Sequence, residues 1–212
     1  MNNVATVAAN TSKRIMDTWF KGFVPGQPLG SEMFTLWFGG SKEVDDMLRE
    51  RFEQDAERAL VDHEFREQMK STGEGIVALT VLLDQIPRNI FRGTPRPFVE
   101  FDPLARETAK EAISKKLCTH VHPIYRHVLY LPLEHSENVE DQAACIKEFN
   151  REYEEVEPIY KDMFKSFLTY AKEHETVIKK FGRYPHRNTV LGRIPTEAER
   201  IYLESGGAKW EK

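Results

Sequence analysis

Apolar residues recur along most of this chain at three- and four-residue steps, the period of one helix face. Thr11 or Ser12 can cap a first helix running to about Lys21, with Ile15, Trp19 and Phe20 turned inward. The stretch from Gly22 to Ser31 holds two prolines and three glycines and reads as a loop. Ser41 then caps a second helix, striped by Val44, Met47, Leu48, Phe52, Ala56 and Ala59. Its first turn carries Glu43, Asp45 and Asp46, the sign the helix dipole favours. A third helix is expected from near Gly75, with Ile76, Leu79, Leu82 and Leu83 as its stripe. Asp102-Pro103 reads as an N-cap followed by proline at the first helical position, opening a helix that carries Leu104, Thr108, Ala112 and Leu117. Val139 to Glu155 and Ile159 to Phe181 form a long amphipathic pair, divided or kinked at Pro158 and ended by Gly182. Thr196-Glu197-Ala198-Glu199 has the capping-box pattern and opens a last helix to about Glu204.

Nothing alternates with period two, and no hairpin turn is evident. The expectation is an all-α single domain from residue 11 to residue 205. It should contain roughly seven to nine antiparallel helices, consistent with a degenerate helical-repeat arrangement. Residues 1–10 are expected to be disordered, and residues 206–212 to form a C-terminal tail.

Charge changes this picture little. Acids and bases are interspersed and the formal net charge is −4, which argues against a nucleic-acid groove while leaving room for a local basic pocket. No apolar run reaches the roughly 20 residues of a membrane helix. Two cysteines, Cys118 and Cys145, with no Cys-x-x-Cys pattern, suit a reducing compartment, and the expected location is cytoplasmic. The acid-free start up to Asp17, with Lys13 and Arg14, is a pattern shared with mitochondrial presequences.

Three polar stretches interrupt the apolar stripes. The first is Asp84, Gln85, Arg88, Asn89 and Arg92 around Pro87. Pro87 cannot donate to the Leu83 carbonyl, so a kink or a restarted turn is expected there. The second is Glu134, His135, Ser136 and Glu137; the third is Arg183, His186, Arg187, Asn188 and Arg193 around Pro185. Arginines bind carboxylate or phosphate bidentately, and Asn and Gln fix orientation. A histidine beside carboxylates suits proton transfer near neutrality. Each stretch also has a structural reading: an Asp84–Arg88 ion pair, Gln85 and Asn89 bonded to carbonyls freed at Pro87, Ser136 as an N-cap, and the third stretch tying helix ends.

These stretches also carry a resemblance. Trp37-Phe38, Leu83 to Asn89 with Arg92-Gly93, Leu131 to Glu137, and Phe181-Gly182-Arg183 with His186-Arg187-Asn188 and Leu191-Gly192-Arg193 resemble the family catalogued as domain of unknown function 924. The likeness spans about residue 35 to residue 204. It implies an all-helical, tetratricopeptide-repeat-like single domain, and it implies no activity.

The functional expectation is that the three stretches meet in one pocket for a small anionic metabolite. Asp84, Glu134, His135 and His186 would move protons. Gln85, Arg88, Asn89, Arg92, Glu137, Arg183, Arg187, Asn188 and Arg193 would bind. No cofactor is expected. No metal is expected either, because Glu-His-x-Glu is not a complete metal site. The rival expectation is a helical-repeat scaffold for a peptide or protein partner, with the polar stretches structural. Neither reading involves nucleic acid or membrane.

Overall fold

Helical periodicity becomes helix throughout. The computed structural model describes residues 3–207 and Trp210, and no strand occurs among them. Twelve α-helical segments are present among the described residues. Nine have at least seven residues: α1 (Asn3–Trp19), α2 (Ser31–Phe38), α3 (Lys42–Val61), α4 (His63–Met69), α5 (Gly73–Thr80), α7 (Asp102–Ser114), α10 (Val139–Glu155), α11 (Lys161–Phe181) and α12 (Glu197–Glu204). The other three, α6 (Ile86–Ile90), α8 (Pro123–Arg126) and α9 (Leu131–Glu134), are single turns, of which α6 and α9 lead into the site.

The centre of the molecule is α5 and the π turn Val81–Gln85 that continues it. Every residue from Gly75 to Asp84 is buried. A helix apolar on all sides belongs inside a core, and here α1, α3 and α7 pack around it. The entry to this helix leaves no room for a side chain, since a Cβ on Gly75 would stand 2.0 Å from the Met69 carbonyl oxygen. On the far side α10 and α11 pack against each other as an antiparallel pair. Gly182 closes α11 at φ 69°, a left-handed conformation that glycine adopts without steric cost.

Three expectations are corrected. Residues 3–10 are helical, because α1 begins at Asn3 and Ala8 is fully buried in the core. Met1 and Asn2 lie outside the described residues, as does most of the expected tail; Trp210, which is described, packs against His174. Asp102 is not an N-cap: the π turn Pro97–Phe101 runs straight into α7, and the Asp102 side chain caps nothing. The helix expected to run to Leu117 stops at Ser114, where the chain enters turns with Lys116 at φ 54°.

Candidate functional site

Proline shapes the first wall of the site. Pro87 lacks an N–H, and the chain meets this by widening a turn rather than breaking. The Ile86 N–H reaches back five residues to the Val81 carbonyl, and Asn89 Nδ2 donates to the Gln85 carbonyl at 3.0 Å. A π turn inserts one extra residue into the helix and is often found at functional sites. Here it ends the buried helix with Asp84 turned toward α9.

Asp84 is 1% exposed, and its Oδ1 lies 2.8 Å from His135 Nδ1. Burial alone would raise the Asp84 carboxyl. The charges of His135 and Arg88, with hydrogen bonds from His135 and Gln85, outweigh burial and hold it down at about 2. An ionised carboxylate only accepts, so the His135 nitrogen that faces it, Nδ1, carries a proton. His135 is 14% exposed, which leaves the imidazole at the edge of solvent.

Two guanidiniums flank this dyad. Arg88 Nη2 is 3.3 Å from Asp84 Oδ1 and 2.6 Å from Asp102 Oδ1. Arg187 Nη1 donates to the His135 carbonyl at 2.8 Å and lies 4.0 Å from Asp102 Oδ2. Both lie over the half-buried Phe98 ring, at 5.6 Å for Arg88 and 4.8 Å for Arg187. Burial and the neighbouring Asp84 charge raise the Asp102 carboxyl against the pull of the two arginines.

Behind the dyad lies a second, drier group. Glu134 is buried, and burial, aided by the Asp84 charge, pushes its carboxyl up to about 8. His174 Nδ1 is 3.6 Å from Glu134 Oε1 and 2.8 Å from the Tyr170 carbonyl. The His174 ring stacks on Trp210 at 3.7 Å. His186 joins this group, with its ring 5.5 Å from Tyr184 and 5.9 Å from Trp210.

The remaining expected residues hold the frame. Arg92 pairs with Asp45 of α3 through Nε at 2.7 Å and Nη2 at 2.9 Å, and its Nη2 also meets Asn89 Oδ1 at 3.0 Å. Arg183 binds both carboxylate oxygens of Glu199 at the start of α12. Arg193 does the same with Glu137, whose Oε1 also accepts from the Tyr184 N–H at 2.8 Å. These contacts pin the segment carrying Arg187 against the turn after α9. Asn188 is buried, and neither atom of its side-chain amide has a hydrogen-bond partner among the described residues.

Two residues of the site were invisible in the sequence pattern. Asp102 reads as a helix start, and His174 lies outside the three polar stretches of the sequence. No local signal marks either one, since each acquires its neighbours only through tertiary packing. The described residues contain no group of three or more His, Cys, Asp or Glu placed to hold a metal ion. No helix among them is long and apolar enough to cross a membrane.

The chain is similar to a solved protein of unknown function from Agrobacterium tumefaciens. The two are 32% identical, with a TM-score of 0.75, over 94% of this chain and 99% of that one. No curated protein matches. The family described as bacterial protein of unknown function (DUF924) matches residues 15–207. The expected resemblance therefore holds over nearly the whole length, and the chain belongs to the DUF924 family.

Proposed function

We propose that Asp84, Arg88, Asp102, His135 and Arg187 bind a small anionic molecule and move a proton on it. The observation that carries this reading is the 2.8 Å contact between Asp84 Oδ1 and His135 Nδ1, with Arg88 Nη2 only 3.3 Å from the same oxygen. An imidazole oriented through Nδ1 by a buried carboxylate is the arrangement a general acid or base uses. Arg88 and Arg187 beside it supply positive charge for an oxyanion. Glu134, kept protonated by burial, is a proton reserve behind them. The free, buried Cys118 and Cys145 thiols suit a cytoplasmic setting.

The test is a thermal-shift screen of carboxylate and phosphate metabolites. A ligand at a hundred times its dissociation constant stabilises the folded protein by ~2.7 kcal/mol. Arg88→Ala and Arg187→Ala should abolish that shift, whereas Arg183→Ala, whose partner is Glu199, should keep it. A wild type that no anion shifts would remove the reading.

A separate observation favours a scaffold role. A cleft of about 710 Å³ opens between α1, α2 and α3, lined by Trp19, Met33, Leu36, Met47 and Phe52. Phe34 and Phe38 of α2 stand exposed. Arg14, Asp17, Lys21, Glu32 and Arg51 also line the cleft, so a peptide or protein partner here would present charged as well as apolar side chains, in the manner of a tetratricopeptide-repeat-like scaffold.

A further inference from the structure

Asp102 stands where a bound anion would be expected. Its Oδ1 is 2.6 Å from Arg88 Nη2, and its Oδ2 is 4.0 Å from Arg187 Nη1. Both guanidiniums rest on Phe98, one turn earlier in the same π-to-α run. Asp102 is 20% exposed, more than Arg88 at 12% or Arg187 at 5%. Its carboxylate sits against both guanidiniums, so an oxyanion that engages these arginines does so beside Asp102.

A carboxylate has acceptors and no donor. Opposite a fully ionised ligand oxygen it sets acceptor against acceptor and like charge against like charge, with no proton to join them. A ligand that brings its own proton converts that clash into a short, charge-assisted O–H···O bond while its other oxygens face the guanidiniums. We propose, on the basis of the anion-binding reading above, that Asp102 is a specificity-determining residue. It restricts the site to oxyanions that carry a hydrogen-bond donor, such as hydrogen phosphate or a hydroxy acid, and rejects fully ionised oxyanions such as sulfate. The upward displacement of the Asp102 carboxyl by burial and by Asp84 agrees with a group suited to sharing a proton with its ligand. Sites built around a ligand proton reject analogues that lack it, by as much as ~10⁴-fold where the site is fully enclosed. The exposure of Asp102 lowers the expected discrimination here to about tenfold or more.

The experiment compares inorganic phosphate with sulfate by titration calorimetry on the full chain. It uses equal ionic strength and a pH near neutrality, where phosphate retains a proton and sulfate has none. Wild type should bind phosphate at least about tenfold more tightly. Asp102→Asn places an amide donor where the acceptor was, so sulfate binding should rise and the preference should fall toward unity. Asp102→Glu, which keeps the carboxylate, should retain the preference, and circular dichroism checks that each variant is folded. Equal binding of both anions by wild type overturns the assignment without any variant being needed. An unchanged preference in folded Asp102→Asn overturns it as well. If wild type binds neither anion nor a hydroxy acid such as glycolate, the assignment falls together with the anion-binding reading. If both anions bind equally and Arg88→Ala abolishes them, only the role of Asp102 falls.

Discussion

Glu134 shows how burial turns a side chain into a pH-dependent load on the fold. Its ordinary value is 4.5, and in the folded protein burial, with the Asp84 charge, lifts it to about 8. An acid whose folded value is raised stabilises the fold fully below its unfolded value, and that contribution is lost as pH rises through the folded value. The window is therefore from about 4.5 to about 8. Each pH unit inside it is worth at most ~1.4 kcal/mol. Glu134→Gln cannot ionise and should lack this slope, so its urea stability should gain on wild type steadily from pH 4.5 toward pH 8. Parallel stability curves for the two proteins would show that Glu134 is already ionised or solvated. The pattern Leu133-Glu134-His135 marked both polar residues as candidates but gave no way to tell them apart. The 14% exposure of His135 and the burial of Glu134 come from the packing of α9 against α7, α10 and α11, which local pattern does not encode.

At the scale of elements, the helices with one apolar stripe were legible and the departures from α geometry were not. The α3 cap was readable because Ser41 precedes a stripe, and its Oγ does accept from the Val44 N–H. The α12 capping box was readable for the same reason, with Thr196 and Glu199 making both reciprocal bonds. Pro87 announced an irregularity, yet its resolution as a π turn depended on space in the surrounding core. Short α2 was hidden because apolar residues cover nearly all its sides, so no 3.6-residue stripe stands out. The segment after Gly182 owes its shape to side chains more than to backbone ladders. Glu137 binds Arg193 and the Tyr184 N–H, and the Tyr184 hydroxyl donates to the Glu134 carbonyl. Glu137→Ala removes the first set. It should therefore speed amide hydrogen exchange across residues 183–193, cost about 1–3 kcal/mol, and weaken anion binding without touching the ligand. Unchanged exchange in that segment would mean that Tyr184 alone positions Arg187.

Across the whole molecule, the question is whether the charged cluster holds the fold together or is a cost the fold carries. Asp84 and Arg187 are almost fully enclosed, and Arg88 and His135 are mostly so. Taking such groups from water costs several kcal/mol per ion, and their mutual attraction often does no better than break even against a well-packed apolar replacement. The core around α5 already supplies a continuous apolar interior from α1 through α11. A fold-stabilising role would therefore be better served by leucine and methionine at these positions. The combined variant Asp84→Leu, Arg88→Met, Asp102→Leu, His135→Phe and Arg187→Met replaces these five titratable side chains at once, so none of them is left facing the others as a stranded charge. Its unfolding free energy should stay within about 2 kcal/mol of wild type or exceed it, while anion binding disappears. Single removal behaves differently. Arg88→Ala leaves Asp84 and Asp102 close together with one fewer compensating charge, and should cost roughly 3–5 kcal/mol. A combined variant that unfolds, or is less stable than Arg88→Ala alone, would make the cluster a structural fastening and return the functional weight to the cleft between α1, α2 and α3.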